Sequence, residues 1–271
     1  MTEFHDLAEL ALNRDNQSWG NLGYWKSATE YSDACRALAL LLGEQAGLDS
    51  QSEVFDAGFG CGDQLLLWLT DFRVAEVRGV NLSRSQTAFA RTKLAAAGFK
   101  AAAIVQGDIN NSETWHVALG GNRPSHVLAL DCAYHFPSRQ AFIAQAHRQL
   151  APAGRIALTD FMLSDRHRSG SFTHRLLVWM LKRSHIAETN IVHRARYLDQ
   201  LRTAGFEEVR ITDISQHVMP GFASFVRTSP ASAKADWPAR LKHAVTGRFL
   251  QWAYRRSVLR YFVISATRSG R

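Results

Sequence analysis

Cysteine is scarce in this chain: three among 271 residues, Cys35, Cys61 and Cys132, widely spaced and with no C-x-x-C pair. An odd, scattered set excludes a disulfide framework and a cysteine-built zinc site, and points to a reducing compartment. Long apolar runs are missing too. Leu176 to Leu181 is among the longest, far short of the ~20 residues a bilayer span needs. The first ten residues carry Glu3, His5, Asp6 and Glu9, so no secretory core is expected and the cytoplasm is the expected location. Neither an internal repeat nor a low-complexity tract is visible.

What is present is an ordinary globular balance, 46% hydrophobic and 21% charged, enough for one domain over residues 1–271. The charge is uneven. Residues 1–150 hold 12 Lys and Arg against 16 Asp and Glu, whereas residues 151–271 hold 20 against 8. Such a basic half is either a solvated face or a surface for an acidic acceptor or an anionic membrane.

Short apolar segments alternate with helical ones. Strands are expected at 52–57, 75–80, 101–106, 125–131 and 154–160, with helices at 63–71, 84–97 and 138–150 between them. Ser27-Ala28-Thr29-Glu30 reads as a capping box opening a helix at about 28–46, stopped near Gly47. A helix at 193–204 and strands at 206–214 and 259–266 complete the pattern. Residues 161–192 and 216–258 read as insertions, with 229–233 as a flexible link. This alternation implies an α/β fold, a mostly parallel sheet with helices on both faces.

The densest signal is Val54-Phe55-Asp56-Ala57-Gly58-Phe59-Gly60-Cys61-Gly62, a strand ending in an acid and running into alternating glycines. Missing side chains at Gly58, Gly60 and Gly62 let a ligand approach the backbone at the carboxyl edge of a strand. The dinucleotide pattern G-x-G-x-x-G would need glycine at position 63, where Asp63 stands. A nucleotide-like ligand without a pyrophosphate remains.

That motif, followed in order by Gly79-Val80-Asn81-Leu82-Ser83-Arg84-Ser85-Gln86 and Gly107-Asp108-Ile109, resembles the class I S-adenosylmethionine-dependent methyltransferases. The resemblance runs from about Leu22 to Thr267. It is closest to the small-molecule branch that acts on sugars, polyketides, sterols and amines and includes the cyclopropane fatty-acid synthases. It implies a Rossmann-like, seven-stranded sheet with an antiparallel seventh strand, and S-adenosylmethionine as cofactor, with S-adenosylhomocysteine as product. Asp56 is then expected to hold the ammonium of the cofactor, directly or through water; otherwise it caps the loop. Asn81 and Gln86 match the ribose-binding positions, although Ser83 and Gln86 also form a capping box. Asp108 matches the adenine-binding turn, or is a local backbone acceptor. Tyr24, in Gly23-Tyr24-Trp25, resembles a lid tyrosine over the methionine end. Asp131 completes the expected cofactor set.

In the resembling O-methyltransferases, positions matching His135 and Asp160 flank the acceptor. Methyl transfer is an in-line displacement, so alignment and exclusion of water dominate. A hydroxyl acceptor must also lose a proton, and a His oriented by an Asp can take it. The alternative leaves His135 bonded to backbone and Asp160 capping a loop. Phe161 stands where a polar ligand would assist Asp131 and Asp160 in a catechol-type site, so no metal is expected. Tyr134, where cyclopropane synthases carry Glu, argues against cyclopropanation. Asp131-Cys132-Ala133-Tyr134 also lacks the double proline of adenine and cytosine N-methyltransferases.

The insertions are expected to roof the acceptor pocket, with Tyr134, Trp179, Met219 and Phe222 against a small lipophilic or aromatic molecule; otherwise they simply pack on the sheet. Leu241, Val245, Phe249 and Trp252 share one side of a helical stretch beside Arg240, Lys242, Arg248, Arg255 and Arg256. That pattern suits either an ordinary surface helix or peripheral contact with an anionic membrane. The expected activity is O-methylation of a small molecule by a monomer or homodimer without nucleic acid. C- or N-methylation, or nucleic-acid binding by the basic half, are the alternatives.

Overall fold

The computed structural model describes residues 12–14, 17–99, 103–168, 170–229 and 237–270. Its elements run α1 (Tyr31–Ala46), β1 (Glu53–Ala57), α2 (Asp63–Thr70), β2 (Glu76–Asn81), α3 (Arg84–Ala96), β3 (Ile104–Gln106), α4 (Ser112–Leu119) and β4 (His126–Ala129). They continue through α5 (Arg139–Gln149), β5 (Arg155–Leu163), α6 (Phe172–Arg183), α7 (Arg194–Thr203), β6 (Phe206–Asp213), α8 (Ser215–Thr228), α9 (Trp237–Arg255) and β7 (Leu259–Arg268). The seven strands form one sheet in the order β3-β2-β1-β4-β5-β7-β6. β7 lies antiparallel to both neighbours, and the other pairs are parallel.

Both faces of the sheet are covered, which is why its central strands read as continuous apolar runs rather than alternating ones. One face packs α1, α2, α3, α6, α8 and α9, through Leu38, Leu42, Trp68, Leu94, Leu177, Phe222 and Leu250. The other packs α4, α5 and α7, through Trp115, Phe142, Ile143, Tyr197 and Leu201. Side chains along a strand alternate between these layers. On β5, Ala157 and Phe161 belong to the first cluster and Leu158 and Met162 to the second.

Helix boundaries follow local chemistry. Ser83 Oγ caps α3 by accepting from the Gln86 N–H, Ser138 Oγ caps α5 from Ala141, and Asn111 caps α4 from Glu113. α1 corrects an expectation. No capping box forms at Ser27; the helix starts at Tyr31, and Glu30 at its N-cap makes no side-chain cap bond. Glu30 instead pairs with Arg14 at 2.7 Å. The preceding segment is drawn away onto the flank of α1, where the Tyr24 N–H donates to the Ala34 carbonyl. α4 was not anticipated, β5 runs three residues further than expected, and residues 230–233 of the expected link lie outside the described residues.

α8 and α9 pack closely because Gly247 allows it: a Cβ there would lie 2.5 Å from Val226 Cγ2. The buried line of α9 is Ala239, His243, Gly247, Leu250 and Ala253. The stripe singled out in the sequence is turned partly outward, and Leu241 is exposed. Among the described residues, no helix is long and apolar enough to cross a membrane.

Candidate active site

The sheet order brings the carboxyl ends of β3, β2, β1 and β4 side by side. Asp108, Asn81, the glycine loop and the turn carrying His135 follow those four ends in turn. This edge, beside the point where strand order reverses, is where open α/β sheets bind ligands.

The three glycines have different reasons to be glycine. A Cβ on Gly58 would lie 2.8 Å from Cys132 Sγ, so it is needed for packing between the ends of β1 and β4. Gly62 caps α2 against Ala90 of α3. Gly60 has φ +56° and nothing within 4 Å of its Cβ position. It is the one place in the loop where missing atoms open space for a ligand rather than for the protein.

Asp56 is held by α2. Its carboxylate has no exposed surface. It accepts from Gln64 Nε2 at 2.9 Å and from Trp68 Nε1 at 2.6 Å, both on α2. Burial pushes its carboxyl up to about 6, against the pull of those two donors. The acid therefore ties α2 beneath β1 and holds the loop.

Asn81 Nδ2 donates to Gln86 Oε1 at 3.0 Å, so the two expected ribose residues meet as a pair. Of the capping box, the Gln86 N–H donates to Ser83 Oγ. Asp108 is exposed at the end of β3, and one of its oxygens accepts from the Asn110 N–H.

Asp131 anchors the segment that carries Tyr24. It sits at φ +55°, a left-handed conformation that non-glycine residues adopt at a cost. Its Oδ2 accepts the Leu22 N–H at 2.7 Å, while Oδ1 accepts from the Tyr134 hydroxyl at 2.8 Å and from the Tyr261 hydroxyl. That segment, residues 18–25, is tied along its length. The Ser18 N–H donates to Asp63 at the start of α2, and the Trp25 N–H to the His217 carbonyl on α8. Tyr24 lies edge-on to the His217 ring, 5.3 Å between centroids.

His135 ends a short 3-10 turn, Ala133–His135, beyond β4, half-buried with its ring 4.4 Å from that of Tyr134. Asp160 does not join it. Asp160 points into the opposite layer, fully buried, where it accepts from Arg139 Nη1 at 3.2 Å, the Tyr197 hydroxyl at 2.9 Å and the Phe161 N–H at 2.7 Å. The expected His135–Asp160 dyad is therefore overturned by strand parity. Thr159 and Phe161 take the site side, with Thr159 Oγ1 accepting the Asp131 N–H.

Three expected roof residues are elsewhere. Met219 and Phe222 are packed in the core beneath α8, Phe222 against Tyr31, leaving no surface for an acceptor. Trp179 is turned outward at 57% exposure, because α6 buries Leu177, Met180 and Leu181 instead. Tyr134 is buried, with its hydroxyl committed to Asp131. Residues that sequence reasoning missed are Tyr261, Thr159, Asn190 and the Leu22 N–H, none of which carries a local signal.

A doubly wound α/β sheet with a glycine loop after β1 and an antiparallel β7 defines a nucleotide-cofactor protein. Residues 55–158 match the methyltransferase domain family. Over 205 residues the chain is 31% identical to the erythromycin 3''-O-methyltransferase of Saccharopolyspora erythraea, covering 73% of this chain and 65% of that enzyme. It is 29% identical over 218 residues to the 27-O-demethylrifamycin SV methyltransferase of Amycolatopsis mediterranei, 76% and 74% of the two lengths. A cyclopropane synthase of Mycobacterium tuberculosis superposes with TM-score 0.76 at 14% identity, covering 96% of this chain and 93% of that one. Together these matches support a class I S-adenosylmethionine-dependent methyltransferase. It spans just under two thirds of the erythromycin enzyme's length.

The residues present fit that cofactor. Gly60 leaves open backbone, the Asn81–Gln86 pair would offer partners to a ribose, Asp108 is an exposed acceptor at the end of β3 that would suit an adenine amine, and Tyr24 stands on the tied segment. Gly60→Leu is expected to weaken calorimetric cofactor affinity at least about tenfold by filling this space, with only the ~1–2 kcal/mol strain of its left-handed backbone. Gly58→Ala, pressed against Cys132, should lose melting temperature first. Equal effects of the two on cofactor affinity would count against this placement.

Proposed function

We propose that this chain transfers a methyl group from S-adenosylmethionine to a hydroxyl oxygen of a small lipophilic metabolite, with His135 receiving the hydroxyl proton. The carrying observation is the half-buried His135 on a turn pinned at the end of β4, beside the cofactor edge. The names of the erythromycin and rifamycin relatives support an oxygen acceptor and an antibiotic-like substrate.

The bound cofactor supplies a methyl group on a positively charged sulfur, ready for displacement by an aligned nucleophile. The protein's own residues do the rest. His135 orients the acceptor hydroxyl and takes its proton on a ring nitrogen as the new carbon–oxygen bond forms. The lid, latched to Asp131, keeps water away from the transfer. Asp160 acts from the other layer, holding the end of β5 through Arg139.

Lipophilic acceptors partition into membranes, and two helices carry surfaces that suit an anionic bilayer. On α6, exposed Phe172 and Trp179 lie among Arg175, Lys182 and Arg183, and α9 opens with exposed Trp237 beside Arg240 and Leu241. The test is a label-transfer assay with demethylated antibiotic acceptors, free or dissolved in phosphatidylglycerol or phosphatidylcholine vesicles. Label should appear on a hydroxyl-bearing acceptor, faster in the anionic vesicles. Label on nitrogen or carbon alone would sink the oxygen assignment, and equal rates in both vesicles would sink the bilayer contact.

A further inference from the structure

Asn190 lies in no helix or strand that touches the cofactor edge, yet it is almost wholly buried and bonds on both sides of its amide. It closes a short 3-10 turn, Glu188–Asn190, that leads from α6 into the segment beside β5. Its Nδ2 donates to the Phe136 carbonyl at 2.6 Å and to the Tyr134 carbonyl at 3.2 Å, the two carbonyls that bracket His135. Its Oδ1 accepts the Arg139 N–H at 2.9 Å. Only an amide, in this one orientation, gives two donors to the carbonyls and an acceptor to the N–H.

We infer that Asn190 is the positioning residue for His135. This rests on the base role proposed above. The 133–135 turn cannot hold itself: its internal bonds are His135 N–H to the Cys132 carbonyl and Phe136 N–H to the Ala133 carbonyl. So short a 3-10 segment has poor intrinsic stability. Its front is pinned by the Asp131 N–H to Thr159 Oγ1 and by Cys132 Sγ to the Ala57 carbonyl. Its rear is pinned by Asn190, with buried Arg139 fixing the start of α5 behind it. The imidazole thus leaves a backbone clamped on both sides. Because Asn190 follows α6 in the chain, the turn leading out of α6 and the base share one clamp.

The test compares Asn190→Ala, Asn190→Asp and Asn190→Ser with the native enzyme. Asn190→Asp keeps the shape and the acceptor for Arg139 but turns an oxygen toward two carbonyl oxygens. All three should lower kcat, Ala and Asp by about 10²-fold, the scale of a small misplacement of a reacting group. Ser, able to serve one carbonyl, should recover part of the loss. Cofactor affinity by calorimetry should stay within about twofold, because the glycine loop is untouched. Nitrogen-15 NMR titration of the His135 imidazole should show a shifted, broadened transition in Ala and Asp. Unchanged His135 titration in folded Asn190→Asp would overturn the inference, as would a kcat loss that only tracks the unfolded fraction. If His135→Ala keeps full turnover, the base reading fails on its own, and the titration still decides whether Asn190 sets the ring.

Discussion

His135→Ala should cut turnover on a hydroxyl acceptor by about 10²–10⁴-fold, the range expected when a general base is lost. The other ionisable groups on the same turn cannot replace it near neutral pH. Burial, then the nearby Asp131 charge, pushes the Tyr134 phenol well above its ordinary value. Burial, with Asp56, Asp131 and Asp160 adding to it, does the same to the Cys132 thiol. Asp131 spends both oxygens on Leu22, Tyr134 and Tyr261. Cofactor affinity should hardly change, since the loop after β1 and the Asn81–Gln86 pair lie on other strands. The loss should shrink for acidic phenols at high pH, where the acceptor ionises unaided. A folded His135→Ala enzyme with near-native turnover on an aliphatic alcohol would remove the proton-abstraction role.

The parts of this site that were legible in sequence are those that follow directly from a strand end. The glycine loop, Asn81 with Gln86, Asp108 and His135 each come a few residues after an apolar segment, so topology alone carries them to one edge. Asp160 failed for a reason that sequence hides. β5 is buried on both faces, so no alternation of polar and apolar residues marks which side each residue takes. Thr159 and Asp160 look equally placed, and only the packed structure sends one to Asp131 and Tyr261 and the other to α5 and α7. The insertions failed similarly. Met219 and Phe222 looked like a roof because an apolar helical stripe does not say whether it meets a substrate or α1. Asn190, Tyr261 and Leu22 meet the β4 end across 54 to 130 positions of chain, beyond the reach of any local motif.

Asp160→Asn gives the sharpest separation of the two roles this residue could have had. If it orients the base, the variant stays folded and slow. If it neutralises a buried guanidinium, the variant unfolds more readily. The structure favours the second, since Asp160 and Arg139 are both fully buried and the Arg139 guanidinium also lies 4.0 Å from the centre of the Tyr197 ring. Removing one partner of such a pair costs about 3–5 kcal/mol, or a melting temperature lower by about 10 °C in a chain of this size. The pH dependence then tells which charge was stranded. Burial, the largest influence, pushes the Asp160 carboxyl up from its ordinary value, while Arg139, the Tyr197 hydroxyl and the Phe161 N–H pull it down. In Arg139→Met the strongest downward pull is gone, so the folded-state value rises further above that of the unfolded chain. Folding then takes up a proton: stability is greatest in acid and is lost as pH rises through the folded-state value. In Asp160→Asn the stranded guanidinium cannot release its proton, so acid brings no relief. Melting temperatures at pH 5 and 8 should therefore diverge more for Arg139→Met than for Asp160→Asn. Joint replacement by Met and Leu should recover much of the stability, because two packed apolar side chains leave no buried charge. A stable Asp160→Asn that has lost only turnover would return the carboxylate to the chemistry and undo the assignment made from strand parity.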